Sequence, residues 1–316
     1  MIEEQSGKPV VLFAARNLPA EVRRLIFDAF DTVELPADPA MLQTLEARPV
    51  ALLCTVDVSV DRSLIAALPE SVRIIATYSV GLDHIDLGAA EARGLEIVNT
   101  PGTLADSVSE IAMFLMIGAA RRARESIALI DGGTWSGWRP DQLLGISLVS
   151  RRLGVFGMGE IGLAVASRAQ AFGMTVHYHN RKESAAAKMR GYSYVANVPA
   201  FLAMTDVLLI AAPSTPETRG FVNEEHIAML PRGAIIVNIA RGDLVDDDAL
   251  IRALENGHVR AAGLDVFANE PDLDPRYRSL PSVLALPHAG SSTLETRLAM
   301  GAKLIEGVER ALARPA

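Results

Sequence analysis

The stretch from Arg151 to Lys182, RRLGVFGMGEIGLAVASRAQAFGMTVHYHNRK, limits what this chain can fold into more than any other. An apolar run, Leu153 to Phe156, leads into Gly157, Met158, Gly159, Glu160, Ile161 and Gly162. An alanine-rich segment with helical spacing follows, then a second short run, Met174 to Tyr178. Strand, glycine turn, helix and strand in that order make one βαβ unit. In such a unit Gly157 permits the tight turn, Gly159 lets backbone approach a pyrophosphate, and Gly162 lets helix and strand pack closely. The helix N-terminus adds unpaired N–H groups and a positive dipole end, which suit an anion. Glycine clusters serve many turns, so the pattern alone is weak; the flanking strand and helix make it a dinucleotide site.

The end of the second strand bears on which dinucleotide. A site for NAD normally carries Asp or Glu there, about 20 residues after the first glycines, to bond the ribose 2′-hydroxyl. This chain has His179, Asn180, Arg181 and Lys182, with no acid before Glu183. Two cations and a neutral amide suit a 2′-phosphate, whose charge an Asp would repel. NADP(H) is therefore the preferred cofactor. Arg181 and Lys182 also read simply as a solvated helix start, and Glu183 keeps NAD(H) open.

With 316 residues the chain can form two domains, each with its own core. Half of it is hydrophobic but only 5% is aromatic, so the cores are aliphatic, as suits helices layered on parallel strands. A net charge of −8 without a long basic run makes nucleic acid or an anionic membrane a poor partner. The single cysteine, Cys54 in VALLC, rules out an internal disulfide and reads as a buried or pocket-edge thiol in a reducing cytoplasm. The opening MIEEQSGKPVVLFAA has no basic region before its apolar run, so no signal peptide is expected, and Ile111–Ala120 is too short to span a bilayer.

Residues 9 to 99 alternate strand-like and helix-like pieces, with strands at Val10–Ala14, Val50–Cys54, Arg73–Thr77 and Leu95–Val98 and helices near Ala20–Phe30, Asp61–Leu68 and Leu87–Arg93. Alternation of this kind implies right-handed crossovers and a parallel sheet. At Asn99-Thr100-Pro101-Gly102 the pattern breaks into a turn or hinge. One long helix is expected from Ala105 to about Ile130, apolar around much of its girth and hence covered on more than one side, by the other domain and a second subunit or wholly within one chain. Asp131–Leu144 is a loop bearing Trp135 and Trp138. From Arg151 to Pro287 the alternation resumes, with strands at Val207–Ala211, Ala234–Asn238, Arg260–Leu264 and Val283–Leu286. The last helix, Ser291–Leu312, is expected to cross back to the first block. The expected division is 1–100 with 288–316, and 101–287 between them, leaving a cleft between two lobes.

Parallel strands place ligands at their C-terminal ends. Three polar residues stand just beyond strands of the second domain: Arg241 in NIARGDLVD, Glu270 in LDVFANEP and His288 in LPHAGSST. They suit hydride transfer to a 2-keto acid. Arg241 can grip a carboxylate and polarise the carbonyl. His288 can protonate that oxygen as hydride arrives. Glu270, bonded to the other ring nitrogen, would fix the tautomer and favour the acid form. Among the histidines only His288 has a clear place on the rim. His177 and His179 share a strand face, but no third ligand stands near them in sequence, so no metal is expected.

The set LGVFGMGEIG, NTPGTLADSVSE, NIARGDLVD, LDVFANEP and LPHAGSST resembles the D-isomer-specific 2-hydroxyacid dehydrogenase family, most of all its glyoxylate/hydroxypyruvate and hydroxyphenylpyruvate reductase branch, over nearly the whole chain. The resemblance implies an α/β protein of two doubly wound parallel-sheet domains, a Rossmann NAD(P)-binding domain inserted in a flavodoxin-like substrate domain, and a homodimer with the Ala105–Ile130 helix at its interface. It implies Arg241, Glu270 and His288 as the catalytic set, and Val80 and Gly81 of SVGLDHID as the amides that receive the substrate carboxylate; as bare sequence the latter is a glycine turn before the helix at Asp86. It places Gly157, Met158, Gly159, Glu160 and Ile161 at the phosphates, Asn180, Arg181 and Lys182 at the ribose, and Ala212 and Pro213 beneath the adenosine. Ile239, Ala240, Asp265 and Gly290 fall on the nicotinamide side, with Asp265 bonding the carboxamide.

One departure stands out. Glu160 occupies a place where relatives commonly carry Arg, and a carboxylate there repels the cofactor unless it turns to solvent or to Arg181. No regulatory domain is expected after Ala316. The resemblance implies NADPH-dependent reduction of small 2-keto acids; the alternatives are a dinucleotide-sensing binding protein on the same fold, as in the family's corepressor relatives, or a dehydrogenase of phosphite or formate.

Overall fold

A computed structural model describes residues 7–314 of the chain, so the acidic opening residues and the final Pro315 and Ala316, on which the expectations about a leader and a further domain rest, lie outside it. The chain forms two compact units: one takes it up to Thr103 and again from Ser292, and the other is Leu104–Ser291. The fold is α/β, with a wholly parallel sheet in each unit.

In the first unit β1 (Val10–Phe13), α1 (Ala20–Ala29), β2 (Asp31–Glu34), β3 (Ala51–Cys54), α2 (Arg62–Ala67), β4 (Ile74–Thr77), α3 (Leu87–Ala92) and β5 (Glu96–Val98) follow in chain order. The strands stand in the order β2-β1-β3-β4-β5, the flavodoxin-like doubly wound order. The central β3 and β4 read as unbroken apolar runs because both faces are covered, and every residue in them is buried. Strand β2, DTVE, was not expected. It is a polar edge strand, whose exposure to water leaves no apolar run to read. Asp61 and Asp86 cap α2 and α3 by accepting the N–H of Leu64 and Ala89.

The second unit starts with α4 (Ala105–Ala120) and α5 (Ala123–Asp131). The single helix expected here is broken, because Arg122 takes left-handed backbone (φ 54°) and the carbonyl of Ala120 accepts the N–H of Ile146. The Arg122 guanidinium closes the break by pairing with Glu125. Next come β6 (Arg152–Phe156), α6 (Glu160–Ala171), β7 (Thr175–His179), α7 (Ala185–Met189), β8 (Ser193–Tyr194), α8 (Val198–Ala203), β9 (Val207–Ile210), α9 (Glu224–Met229), β10 (Ala234–Asn238), α10 (Asp247–Glu255), β11 (Val259–Leu264) and β12 (Val283–Ala285). The sheet order is β12-β11-β10-β9-β6-β7-β8. Its two halves wind outward from β6 and β9, the switch point at which such sheets bind ligands. Helix α4 lies on α6, β10, β11 and β12 with Ala112, Leu115 and Met116 fully buried.

The register fixes where the rim is. His179 pairs with Phe156, Phe156 with Ile210, Ile210 with Asn238, Asn238 with Leu264 and Leu264 with Ala285. Six strands therefore end on one row, and the residues that follow them emerge side by side. Helix α11 (Leu294–Leu312) returns to the first unit, packing on α1, β4 and β5. Gly301 and Gly307 permit this, since a Cβ at either would meet Val22 at 2.9 Å or Val98 at 2.4 Å. Among the described residues no helix is long and apolar enough to cross a membrane.

Candidate active site

The glycine turn leaves β6 at the switch point. Gly157 has φ +102°, and a Cβ there would lie 2.3 Å from the N of Ala212, so only glycine fits both the backbone and the neighbouring strand end. A Cβ at Gly162 would lie 2.4 Å from the carbonyl oxygen of Gly157, which is why α6 can start so close to its strand. At Gly159 a Cβ would meet nothing within 4 Å. That open face, followed by the first turn of α6 with no side-chain cap, is the cradle a pyrophosphate requires, and the residues present fit the group.

The end of β7 holds this turn. The carbonyl of His179 accepts the N–H of Gly157 at 3.1 Å, and Oδ1 of Asn180 accepts the N–H of Met158 at 2.7 Å. Of the two amides of the turn proper, neither is left for a phosphate; the donors begin at Gly159 and the helix. Arg181 and Lys182 are exposed just beyond. Glu183 pairs with Lys188 at 3.3 Å along α7. Glu160 is exposed in the first turn of α6. Ala212 is buried after β9, in contact range of Gly157.

Arg241, Glu270 and His288 all belong to the second unit and follow β10, β11 and β12. His288 has φ +53°, a backbone state that a non-glycine side chain enters at a cost of about 1 kcal/mol or more. Asp265, 1% exposed, holds it there: its carbonyl accepts the N–H of His288 at 2.8 Å, while Oδ1 and Oδ2 accept the N–H of Ala289 at 2.7 Å and of Gly290 at 2.8 Å. Burial pushes the Asp265 carboxyl up from the ordinary range, opposed by those two N–H donors and the nearby imidazole. The same bonds tie residues 288–290 to the second unit, so the return crossing comes after Ser291.

Nδ1 of His288 lies 2.8 Å from Oε2 of Glu270. A carboxylate only accepts, so Nδ1 carries the proton and Nε2 is the nitrogen left for chemistry. Oε1 of Glu270 accepts the N–H of Phe267 at 2.8 Å. Burial raises the Glu270 carboxyl, but the bonds from His288 and Phe267 and the charge of Arg241 outweigh it and hold the group below its usual range. Arg241 is positioned by Asn238, 1% exposed, whose Nδ2 donates to the Arg241 carbonyl at 2.8 Å while its Oδ1 accepts the N–H of Ala240 at 3.0 Å. Gly242 brings this loop against the one carrying Glu270: a Cβ on it would sit 1.8 Å from the backbone carbon of Phe267. Asn238 and Gly242 were missed from sequence. A polar residue ending a buried apolar strand, and a glycine beside the arginine, were the available signals.

In the first unit the Val80–Gly81 turn follows β4. The Val80 carbonyl accepts from Asn99 Nδ2 at 3.0 Å, and that of Gly81 from the Ser79 hydroxyl at 2.7 Å. Buried Thr77 links Ser79 to His84, at 2.9 Å on each side. Both carbonyls of the turn are thus fixed. Cys54 is fully buried, and burial pushes its thiol up to about 12, so it is inert. His177 is buried against Thr205, with Nε2 to Oγ1 2.8 Å, and Nδ1 of His179 lies 2.9 Å from the Val195 carbonyl. Among the described residues no group of three or more His, Cys, Asp or Glu could hold a metal.

A doubly wound parallel sheet with an open glycine cradle at its switch point, and an arginine, an imidazole and a carboxylate on the same rim, defines an NAD(P)-dependent oxidoreductase. The chain belongs to the D-isomer specific 2-hydroxyacid dehydrogenase family, whose NAD binding domain matches residues 113–290. It is 38% identical to the glycerate dehydrogenase of Hyphomicrobium methylovorum over 287 residues, 89% of each chain. The crystal structure of a glyoxylate reductase from Paecilomyes thermophila superposes with a TM-score of 0.89 at 33% identity, covering 98% of this chain and 96% of that one. An NADPH-dependent glyoxylate/hydroxypyruvate reductase from Sinorhizobium meliloti, in complex with NADP and malonate, superposes with a TM-score of 0.87 at 31% identity, covering 97% and 94%. The activity is that of a 2-hydroxyacid dehydrogenase, acting on small 2-hydroxy and 2-keto acids.

Proposed function

We propose that this chain reduces small 2-keto acids, glyoxylate and hydroxypyruvate foremost, to 2-hydroxy acids, of D configuration where the product is chiral, with NADPH, using NADH less well, as a cytoplasmic homodimer. The observation that carries the reading is the 2.8 Å pair of His288 and Glu270 on the rim that also bears Arg241. The bound nicotinamide supplies the hydride. Arg241 pairs with the substrate carboxylate and polarises the keto oxygen, as a planar, permanently charged guanidinium does. His288 gives its Nε2 proton to the oxygen as charge builds there, and Glu270 keeps Nδ1–H in place and stabilises the ring while it is protonated. Asp265 holds the histidine loop through two N–H donors and has lone pairs left for a carboxamide.

Support for NADPH comes from the exposed Arg181 and Lys182 beyond β7, and from the occupation of Glu183 by Lys188. The Sinorhizobium meliloti reductase is likewise NADPH-dependent. Support for a homodimer comes from apolar side chains left open on and after α4: Phe114 is 50% exposed, Ile130 62% and Trp138 81%. The test is steady-state oxidation of NADPH and NADH with a panel of 2-keto acids from glyoxylate to arylpyruvates. Turnover should be lost by 10²- to 10⁴-fold in His288→Ala with NADPH affinity kept. No turnover with any keto acid, or loss of NADPH binding in step with kcat, overturns the proposal.

A further inference from the structure

The amide of Asn180 does work that its place beside a ribose does not require. Its Oδ1 takes the Met158 N–H at 2.7 Å, across 22 residues, and the Asn180 carbonyl accepts the Tyr194 hydroxyl at 3.0 Å, which anchors the residue from the other side. Met158 is buried, so without this acceptor its N–H would have neither water nor a partner in the turn. Because an N–H can bond only to the oxygen of the amide, the orientation of the side chain is settled, and its other arm carries donors alone.

We infer that Asn180 is a latch between the two halves of the dinucleotide site: a positioning residue that holds the Met158 amide, and with it the pyrophosphate turn, against the end of β7. With Oδ1 committed to Met158, the side chain offers the ribose no acceptor for a 2′-hydroxyl. Discrimination by charge then falls to Arg181 and Lys182. The positioning role holds for either dinucleotide and rests on the reading of this turn as the pyrophosphate cradle, not on the proposed preference for NADPH. An aspartate at 180 would keep the bond to Met158, since a carboxylate oxygen accepts it equally, and would turn the other arm from donor to acceptor. An alanine would remove both.

The experiment titrates NADPH, NADH and adenosine 2′-monophosphate, which has a 2′-phosphate but no pyrophosphate, against wild type, Asn180→Ala, Asn180→Asp and Arg181→Ala by calorimetry, with melting temperatures as the fold control. Asn180→Ala should weaken NADPH and NADH alike, about tenfold for one unsatisfied amide, and leave the monophosphate within twofold. Asn180→Asp should keep NADH near wild type and lose NADPH, so that this variant stays informative if the alanine form does not fold. If Asn180→Ala weakens the monophosphate and NADPH together and spares NADH, the residue is a phosphate contact and the latch is refuted. If Arg181→Ala leaves the NADPH to NADH ratio unchanged, the preference for NADPH fails instead, while the parallel loss in Asn180→Ala still upholds the latch.

Discussion

Gly242→Ala tests whether the arginine and carboxylate loops must touch for the chemistry to run. The added methyl would lie 1.8 Å from the backbone carbon and 2.0 Å from the N of the Phe267–Ala268 peptide. Carbon atoms settle near 3.5–4.0 Å apart, so the two loops must part by about 1.7 Å or more. Backbone lies on both sides, so no flexible side chain can give way. One loop carries Arg241, adjacent in sequence, and the other carries Glu270, which holds His288. A misplacement of about 1 Å between reacting groups costs on the order of 10²-fold in rate. Overpacking itself costs about 1–3 kcal/mol, a fall of roughly 2–10 °C in Tm for a unit of this size. The glycine cradle is on other strands, so NADPH should still bind within about threefold. The measurement is kcat and KM for glyoxylate, the Kd of NADPH and a thermal melt. A folded Gly242→Ala protein with wild-type kcat would show that the contact between these loops does not position Arg241 and Glu270.

Three further outcomes follow from the site and its surroundings. Arg181→Ala should lower the preference for NADPH over NADH by more than tenfold, about 1.4 kcal/mol or more, in kcat/KM for the two cofactors. Glu160→Gln removes an exposed carboxylate from the first turn of α6 and should tighten NADPH by a few fold, on the order of 1 kcal/mol, an effect that shrinks as salt rises; an unchanged Kd at low salt would mean the carboxylate is turned away from the phosphates. His177 is held by burial at a pKa of about 4 against an ordinary 6.5. Its unfolded ring therefore gains a proton first, and stability should be lost as pH falls from 6.5 toward 4, by up to about 3 kcal/mol. A urea midpoint series with His177→Gln, whose amide can still donate to Thr205, should be flatter over that window; parallel slopes would refute the assignment.

Much of the fold is legible because both sheets are parallel and covered on both faces. Strands such as VLLI at 207–210 and AIIVN at 234–238 are then unbroken apolar runs, and the helices between them show their period. What escapes is what those rules do not price. The edge strand DTVE meets water and so has no apolar signal. The break between α4 and α5 is made by a tertiary bond, Ile146 N–H to the Ala120 carbonyl, and a local ion pair, Arg122 to Glu125, which leave the apolar spacing through residue 130 intact.

The site divides in the same way. Arg241, Glu270 and His288 could be read because a parallel sheet in register turns distance along the chain into adjacency: Asn238, Leu264 and Ala285 end on one row, and whatever follows them must emerge together. Charged residues at three such exits are therefore informative without coordinates. The groups that hold them are not, because each is an ordinary residue made special by one bond. Asp265 resembles any acid after a strand until both its oxygens are seen on the amides of Ala289 and Gly290, and Asn180 resembles a ribose ligand until its oxygen is seen on Met158. The candidate groups thus sit where the topology delivers them, whereas their alignment depends on hydrogen bonds between loops 22 to 25 residues apart. Conservative changes at Asp265, Asn238 or Gly242 should for that reason cost rate without touching a reacting atom.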